Sequence, residues 1–188
     1  MLSADKVAIA GLTGLSSWLV GELRDELKDQ GHNLTGRLSN SVDADVVEDA
    51  DGWEMDISHE KYGVYLDFGV RPDRIPYSPG SGAKYSKYIN ALKDWVLARG
   101  IKTNEKAALS MAFAIARVQK REGMPTKGSY KFSNNGRRTG WVQFPATSKE
   151  NDIHAQLYDF YRDYIDASID DAMTELAAIY KNTMTWSQ

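Results

Sequence analysis

The stretch Ala44-Asp45-Val46-Val47-Glu48-Asp49-Ala50-Asp51-Gly52-Trp53-Glu54-Met55-Asp56-Ile57-Ser58 decides the fold class. Trp53, Met55 and Ile57 alternate with Glu54, Asp56 and Ser58, the period-two pattern of a strand with one buried face. Asp51-Gly52 is a turn signal, and residues 44–47 supply the first arm of a hairpin. Outward from this hairpin the period changes to that of helices. In 5–28, Ile9, Leu12, Leu15, Leu19 and Leu23 recur at spacings of three and four, with Glu22, Arg24, Asp25, Glu26 and Lys28 on the other side. Gly31 and Asn33 end that helix.

A second helix over 85–99 turns Tyr88, Leu92, Trp95 and Val96 inward and closes at Gly100. A third, over 105–121, packs Leu109, Met111, Phe113, Ile115 and Val118 and stops at Gly123 and Pro125. The last, over 152–182, is long: Ile153, Leu157, Phe160 and Tyr164 make a seam that Ile165, Ile169, Ala172, Leu176 and Ile179 continue. Tyr62, Val64, Leu66 and Phe68 alternate as a further strand, a helical turn over 62–67 being the other option. Residues 130–132 and 141–144 bracket Ser133-Asn134-Asn135-Gly136 as a second, basic-tipped hairpin. The order α-ββ-αα-ββ-α predicts an α+β fold: a small antiparallel sheet packed against three to four helices, with a long C-terminal helix.

The chain has 188 residues, of which 42% are hydrophobic and 26% charged, enough for one well-buried core and hence a single domain over 1–188. No apolar run reaches the ~20 residues that cross a bilayer, so no membrane partner is expected. The N-terminus lacks a basic stretch followed by an apolar one, so no secretory signal is expected. Cysteine is absent, which excludes disulfides and thiolate metal sites and suits a reducing cytoplasm.

The net charge of −3 is unevenly distributed. Residues 43–60 hold eight acids and no Lys or Arg, whereas 117–138 hold seven bases against the single acid Glu122. Two solvated faces explain this in a monomer; in a ring they offer a head-to-tail interface. The segments 69–83, with three prolines and three glycines, and 134–138 are expected to be partner-contacting arms.

No catalytic or metal constellation emerges. His32, His59 and His154 are scattered without a second ligand at useful spacing. No serine sits in a Gly-x-Ser-x-Gly turn. Pro79-Gly80-Ser81-Gly82-Ala83-Lys84 lacks the Gly-Lys-Ser/Thr ending of a phosphate loop. The acidic hairpin could bind a hard cation as a nuclease does, yet alternation puts Glu54 and Asp56 on the solvent side. Trp141, Tyr130 and Phe132 flank basic residues, a combination that stacks bases in some nucleic-acid modules and pairs across strands in others.

Three segments, taken in order, resemble the tailed-phage neck or tail-completion family, also described as head-tail joining or minor tail proteins. Thr35-Gly36-Arg37-Leu38-Ser39-Asn40-Ser41 is similar to its Thr-Gly-x-Leu-x-x-Ser. Tyr62-Gly63-Val64-Tyr65-Leu66-Asp67-Phe68-Gly69-Val70-Arg71-Pro72 is similar to its aromatic, acidic, Phe-Gly-x-Arg/Lys-Pro stretch. Ala91-Leu92-Lys93-Asp94-Trp95-Val96, Arg99-Gly100-Ile101, Ala112-Phe113-Ala114-Ile115-Ala116-Arg117 and Gly123-Met124-Pro125 complete the pattern. The likeness spans about 31–132; the hairpin and helix of 133–188 diverge from it.

The motif positions are thus Thr35, Gly36, Leu38, Phe68, Gly69, Arg71, Pro72, Trp95 and Arg117. The resemblance implies a structural, non-enzymatic subunit, without cofactor or metal, in a homo-oligomeric ring, expected to be a hexamer. That ring would join the phage connector or stopper to the tail tube or terminator, in the virion neck, after assembly in the host cytoplasm. DNA would pass through without specific binding, with Glu54 and Asp56 facing the channel and Arg121, Lys127, Arg137 and Arg138 contacting partners. The alternative is a nucleic-acid-binding module using the basic 117–138 segment.

Overall fold

The computed structural model describes residues 3–49, 52–80 and 86–184. Asp51 of the hairpin turn, residues 81–84 of the proline-glycine loop and Tyr85 at the expected start of the second helix lie outside the described residues. Helix α1 (Ala4–Asp29) leads through α2 (Arg37–Ser41) to strands β1 (Asp43–Asp49) and β2 (Gly52–Ser58). Helices α3 (Gly63–Phe68), α4 (Lys87–Ala98), α5 (Glu105–Glu122), α6 (Gln143–Ser148) and α7 (Glu150–Met184) follow, with short 3₁₀ turns at Pro72–Arg74 and Lys127–Phe132. This is an α+β fold with a two-stranded antiparallel sheet and a long C-terminal helix.

The chain divides into two compact units. The first comprises Met1–Asp25, Asn40–His59 and Phe144–Gln188. Its sheet pairs Asp45 with Asp56 and Val47 with Glu54, and Trp53, Met55 and Ile57 are half-buried while Glu54 and Asp56 face solvent. The Arg24 guanidinium donates to the Val42 carbonyl at 2.7 Å, tying α1 to the chain entering β1. Phe160 of α7 lies where a Cβ on Gly11 of α1 would be, so glycine permits the close approach there. Asp171 accepts from the Ala4 N–H at 2.9 Å, satisfying an N-terminal donor of α1.

The second unit comprises Glu26–Ser39 and Glu60–Gln143. Its core holds Ile75, Tyr77, Ile89, Ala112 and Ala116, with Leu92, Leu109 and Phe113 against it. Helix α5 buries Ala108, Ala112 and Ala116, whose i, i+4 spacing lays a smooth face along the helix. The larger apolar side chains expected to pack are only half-buried beside that face. Ser86 caps α4 by accepting from the Ile89 N–H at 3.1 Å, and Asn104 caps α5 by accepting from Ala107 at 2.8 Å.

Four expectations are corrected. The alternating 62–68 stretch is not a strand but helix α3, with Gly63, Leu66 and Asp67 turned inward and Val64, Tyr65 and Phe68 outward, a three-to-four period. The second hairpin does not form, because its backbone is claimed by other partners. The Asn134 N–H donates to the Asp29 carbonyl at 2.7 Å, capping the end of α1, and Asn135 Oδ1 accepts from the Arg137 N–H at 3.0 Å. Trp95 is 39% exposed rather than inward, since Ile89 and Val96 fill the buried stripe of α4, and the Arg99 guanidinium lies 5.8 Å from its ring centroid. On α7 the continuing seam of Ile165, Ile169, Leu176 and Ile179 is exposed.

Gly123 has φ +83°, and a Cβ there would meet the Val70 carbonyl oxygen at 2.6 Å. Gly14, inside α1, has open space around its Cβ position. Gly123→Ala is therefore expected to destabilise by more than about 1 kcal/mol, and Gly14→Ala to stabilise by about 0.5–1 kcal/mol. Urea unfolding followed by circular dichroism reads both signs.

Candidate functional site

The motif segments around Phe68-Gly69 and Gly123-Met124 meet in the second unit. Val70 and Met124 form an isolated antiparallel bridge, their N–H groups donating to each other's carbonyls at 2.7 and 2.8 Å. Gly69, at φ +72°, ends α3, and a Cβ on it would lie 2.5 Å from the Met124 carbonyl oxygen. Gly69 and Gly123 thus flank one bridge reciprocally, each making room for the other strand's carbonyl. Pro72 opens the 3₁₀ turn, where its missing N–H costs nothing, and Arg71 pairs with Asp73 at 3.2 Å in solvent.

The loop beyond is anchored over its described part, since Ile75 and Tyr77 are buried and Lys120 Nζ donates to the Ile75 carbonyl at 3.1 Å. Over those residues the segment expected to be a partner-contacting arm inserts Ile75 and Tyr77 into the core and leaves residues 71–74 and 78–80 exposed.

The remaining motif positions divide between interior and surface. Leu38 is buried, Gly36 has φ +68°, and Thr35 Oγ1 sits 3.4 Å from the Arg37 N–H. Arg37 reaches Glu60 at 2.7 Å. Asp67, the acid of the second motif, accepts from Val142 N–H through its carboxylate at 2.9 Å and from Gly140 N–H through its carbonyl at 2.9 Å. That places Trp141, fully buried, where its indole N–H donates to the Gly63 carbonyl at 2.9 Å. Arg117 is exposed, and Phe68 is 79% exposed.

The four candidate contact residues have different fates. Arg137 donates to the buried Glu26 carboxylate through Nε and Nη2, both at 3.0 Å. Glu26 also accepts from Gln30 at 2.8 Å and from Asn135 at 3.0 Å. Burial disfavours its ionised form, but the bonds from Arg137 and Gln30 outweigh this and hold the carboxyl below its usual range. Arg138 donates to the Gln30 carbonyl and is half-buried. Arg137 and Arg138 are therefore anchors of the 133–139 segment rather than a free basic tip. Arg121 and Lys127 remain on the surface, joined through Glu122, which accepts from Arg121 Nη2 at 2.6 Å and from the Lys127 N–H at 3.1 Å.

His32 belongs to the same anchor. Its Nε2 lies 3.2 Å from the Arg138 carbonyl, which only accepts, so that nitrogen carries the proton of the neutral ring. Burial and then the Arg138 charge push its pKa down to about 4. Glu26, expected on the polar side of the first helix, is buried, and Asn135, expected in a hairpin tip, bonds to it; Gln30 was not singled out in the sequence, where its i, i+4 spacing from Glu26 was the available signal. Among the described residues no group of three or more His, Cys, Asp or Glu could hold a metal ion, and no helix is long and apolar enough to cross a membrane.

No family model matches the chain, and neither a curated protein nor a solved structure matches it.

His32 sets a pH dependence of known sign. Between pH 6.5 and about 4 the unfolded chain binds a proton at His32 that the folded chain excludes, so stability falls as the pH falls through that window. His32→Gln, which keeps a donor for the Arg138 carbonyl, is expected to flatten the dependence of the urea midpoint on pH there. An unchanged slope would remove His32 as its source.

Proposed function

We propose that this chain is a non-enzymatic subunit of a homo-oligomeric ring at the head-tail junction of a tailed phage, in a neck, tail-completion or tail-terminator role. The observation that carries the reading is the ordered set of motifs across 31–132. Their residues do architectural work: Gly69 and Gly123 flank the Val70–Met124 bridge, Asp67 holds the turn that seats Trp141, and Leu38 is buried. None of these roles is chemical, as a structural subunit requires.

Exposed apolar faces give further support. Val64, Tyr65 and Phe68 share one side of α3 and all face solvent. Contiguous apolar surface of this kind marks protein–protein contact sites. The nucleic-acid alternative is weakened because Arg137 and Arg138 are turned to interior partners, leaving fewer cations to neutralise phosphates.

In the ring, Glu54 and Asp56 of β2 line the DNA channel or lie close to it. Asp45 stands directly opposite Asp56, and like charges so placed destabilise a strand pair. A face that is acidic at a cost in stability suits a conduit that must repel a polyanion, since each phosphate neutralised by Lys or Arg would strengthen attachment.

Native mass spectrometry of the purified chain, and of necks isolated from particles, is expected to show a cyclic oligomer with six copies. A monomer in both preparations would end this reading.

A further inference from the structure

We infer that the outward stripe of α7 is the subunit contact of the ring, and that it docks on the basic, aromatic 121–132 surface of a second copy. This rests on the ring reading above. Tyr158, Tyr161, Ile165, Ile169, Leu176 and Tyr180 recur at helical spacing and are all more than half exposed. Another face of the same helix is occupied within its own unit, by Phe160 against Gly11 and by Asp171 at the start of α1. At 1.5 Å per residue the exposed stripe runs roughly 33 Å, the reach of a full subunit contact rather than a single anchor.

Charge selects the occupant. Asp166 and Asp170 border the stripe on one side and Glu175 on the other, all exposed. Two α7 helices packed on each other would bring these acids together, and like charges across an interface are costly. A partner surface must therefore be apolar and basic. The same chain carries one. Phe132 is 64% and Tyr130 42% exposed, and Lys131 Nζ lies 5.0 Å from the Phe132 ring centroid. Lys127 opens the same 3₁₀ turn, and Glu122 at the end of α5 joins it to Arg121. Two different surfaces of complementary charge on one chain make a heterologous contact, the kind that closes into a ring. An isologous pair would need one surface complementary to itself, which the acids of α7 oppose.

The test uses two charge-reversal variants of the full chain, both altered only at exposed positions: Asp166→Lys/Asp170→Lys/Glu175→Lys and Arg121→Glu/Lys127→Glu/Lys131→Glu. Circular dichroism checks that each folds, and sedimentation reads assembly at high micromolar concentration. Each variant alone is expected to lose assembly, with a dissociation constant raised on the order of a hundredfold. An equimolar mixture is expected to reassemble, because every contact then pairs opposite charges again. A mixture that stays dissociated overturns the docking, as does a wild-type oligomer that survives both reversals; the ring reading stands in either case. Wild-type chain that remains monomeric overturns the docking, and a monomer in isolated necks as well overturns both. If the basic-surface variant assembles normally but loses retention of duplex DNA, that surface belongs to nucleic acid and the docking falls.

Discussion

A buried carboxylate, Glu26, is the constraint on which the second unit depends. It is 8% exposed, sits in the last turns of α1, and accepts hydrogen bonds from Arg137, Asn135 and Gln30. An acid near a helix C-terminus opposes the helix dipole, and a buried one also loses its hydration. Arg137 answers both, as a bidentate cation placed where the dipole is negative. Removing that guanidinium would strand a buried charge at a cost of about 3–5 kcal/mol. The Asn134 N–H on Asp29, the Arg138 and Arg99 guanidinia on the Gln30 and Gly31 carbonyls, and His32 on the Arg138 carbonyl surround the same helix end. Among the last carbonyls of α1, those of Leu27 and Lys28 accept locally from the His32 and Gly31 N–H groups, and that of Asp29 is satisfied by a segment more than a hundred residues further along the chain.

That closure explains where the motif residues sit. With 133–139 pinned to α1, the chain returns through Gly140 and Val142 to Asp67, and Trp141 is carried into the interior beneath α3. From α3 the chain leaves through Gly69 into the bridge with Met124. Glycine is required at Gly69 and Gly123 because each faces the other segment's carbonyl and adopts a positive φ. The motif glycines therefore serve close backbone approaches, Trp141 from outside the motif fills the interior beside them, and a cluster of polar side chains closes the end of α1.

The helices and the first hairpin were legible because each is local: the 3.6-residue period of α1, α5 and α7 and the strict alternation of 53–58 need no knowledge of the rest of the chain. What misled was non-local. Tyr62, Val64, Leu66 and Phe68 alternate well, yet a strand needs a neighbour, and the Trp141 indole and the Asp67 bonds hold that segment as a helix instead. Tyr130–Phe132 and Trp141–Phe144 looked like hairpin arms because Asn-Gly signals a turn, whereas Asn135 bonds to Glu26 and Arg137 across more than a hundred positions or within its own turn. Of the candidate contact residues, Arg121 and Lys127 are exposed, while Arg137 and Arg138 are indistinguishable from them in sequence and are half-buried against partners within the unit. Only the partner separates them: a buried carboxylate and a helix-end carbonyl are invisible to composition.

If these residues build a scaffold for assembly, the arrangement of copies decides the matter. Electron cryomicroscopy of the intact phage neck is the most direct measurement. The account predicts a closed ring of this chain in which α7 of each copy lies along a neighbour, the Glu26–Arg137 pair stays intact inside each subunit, and the Asp45, Glu54 and Asp56 face borders the lumen. A neck without this chain, or a ring with that acidic face on its outer wall and α7 bare, would contradict it.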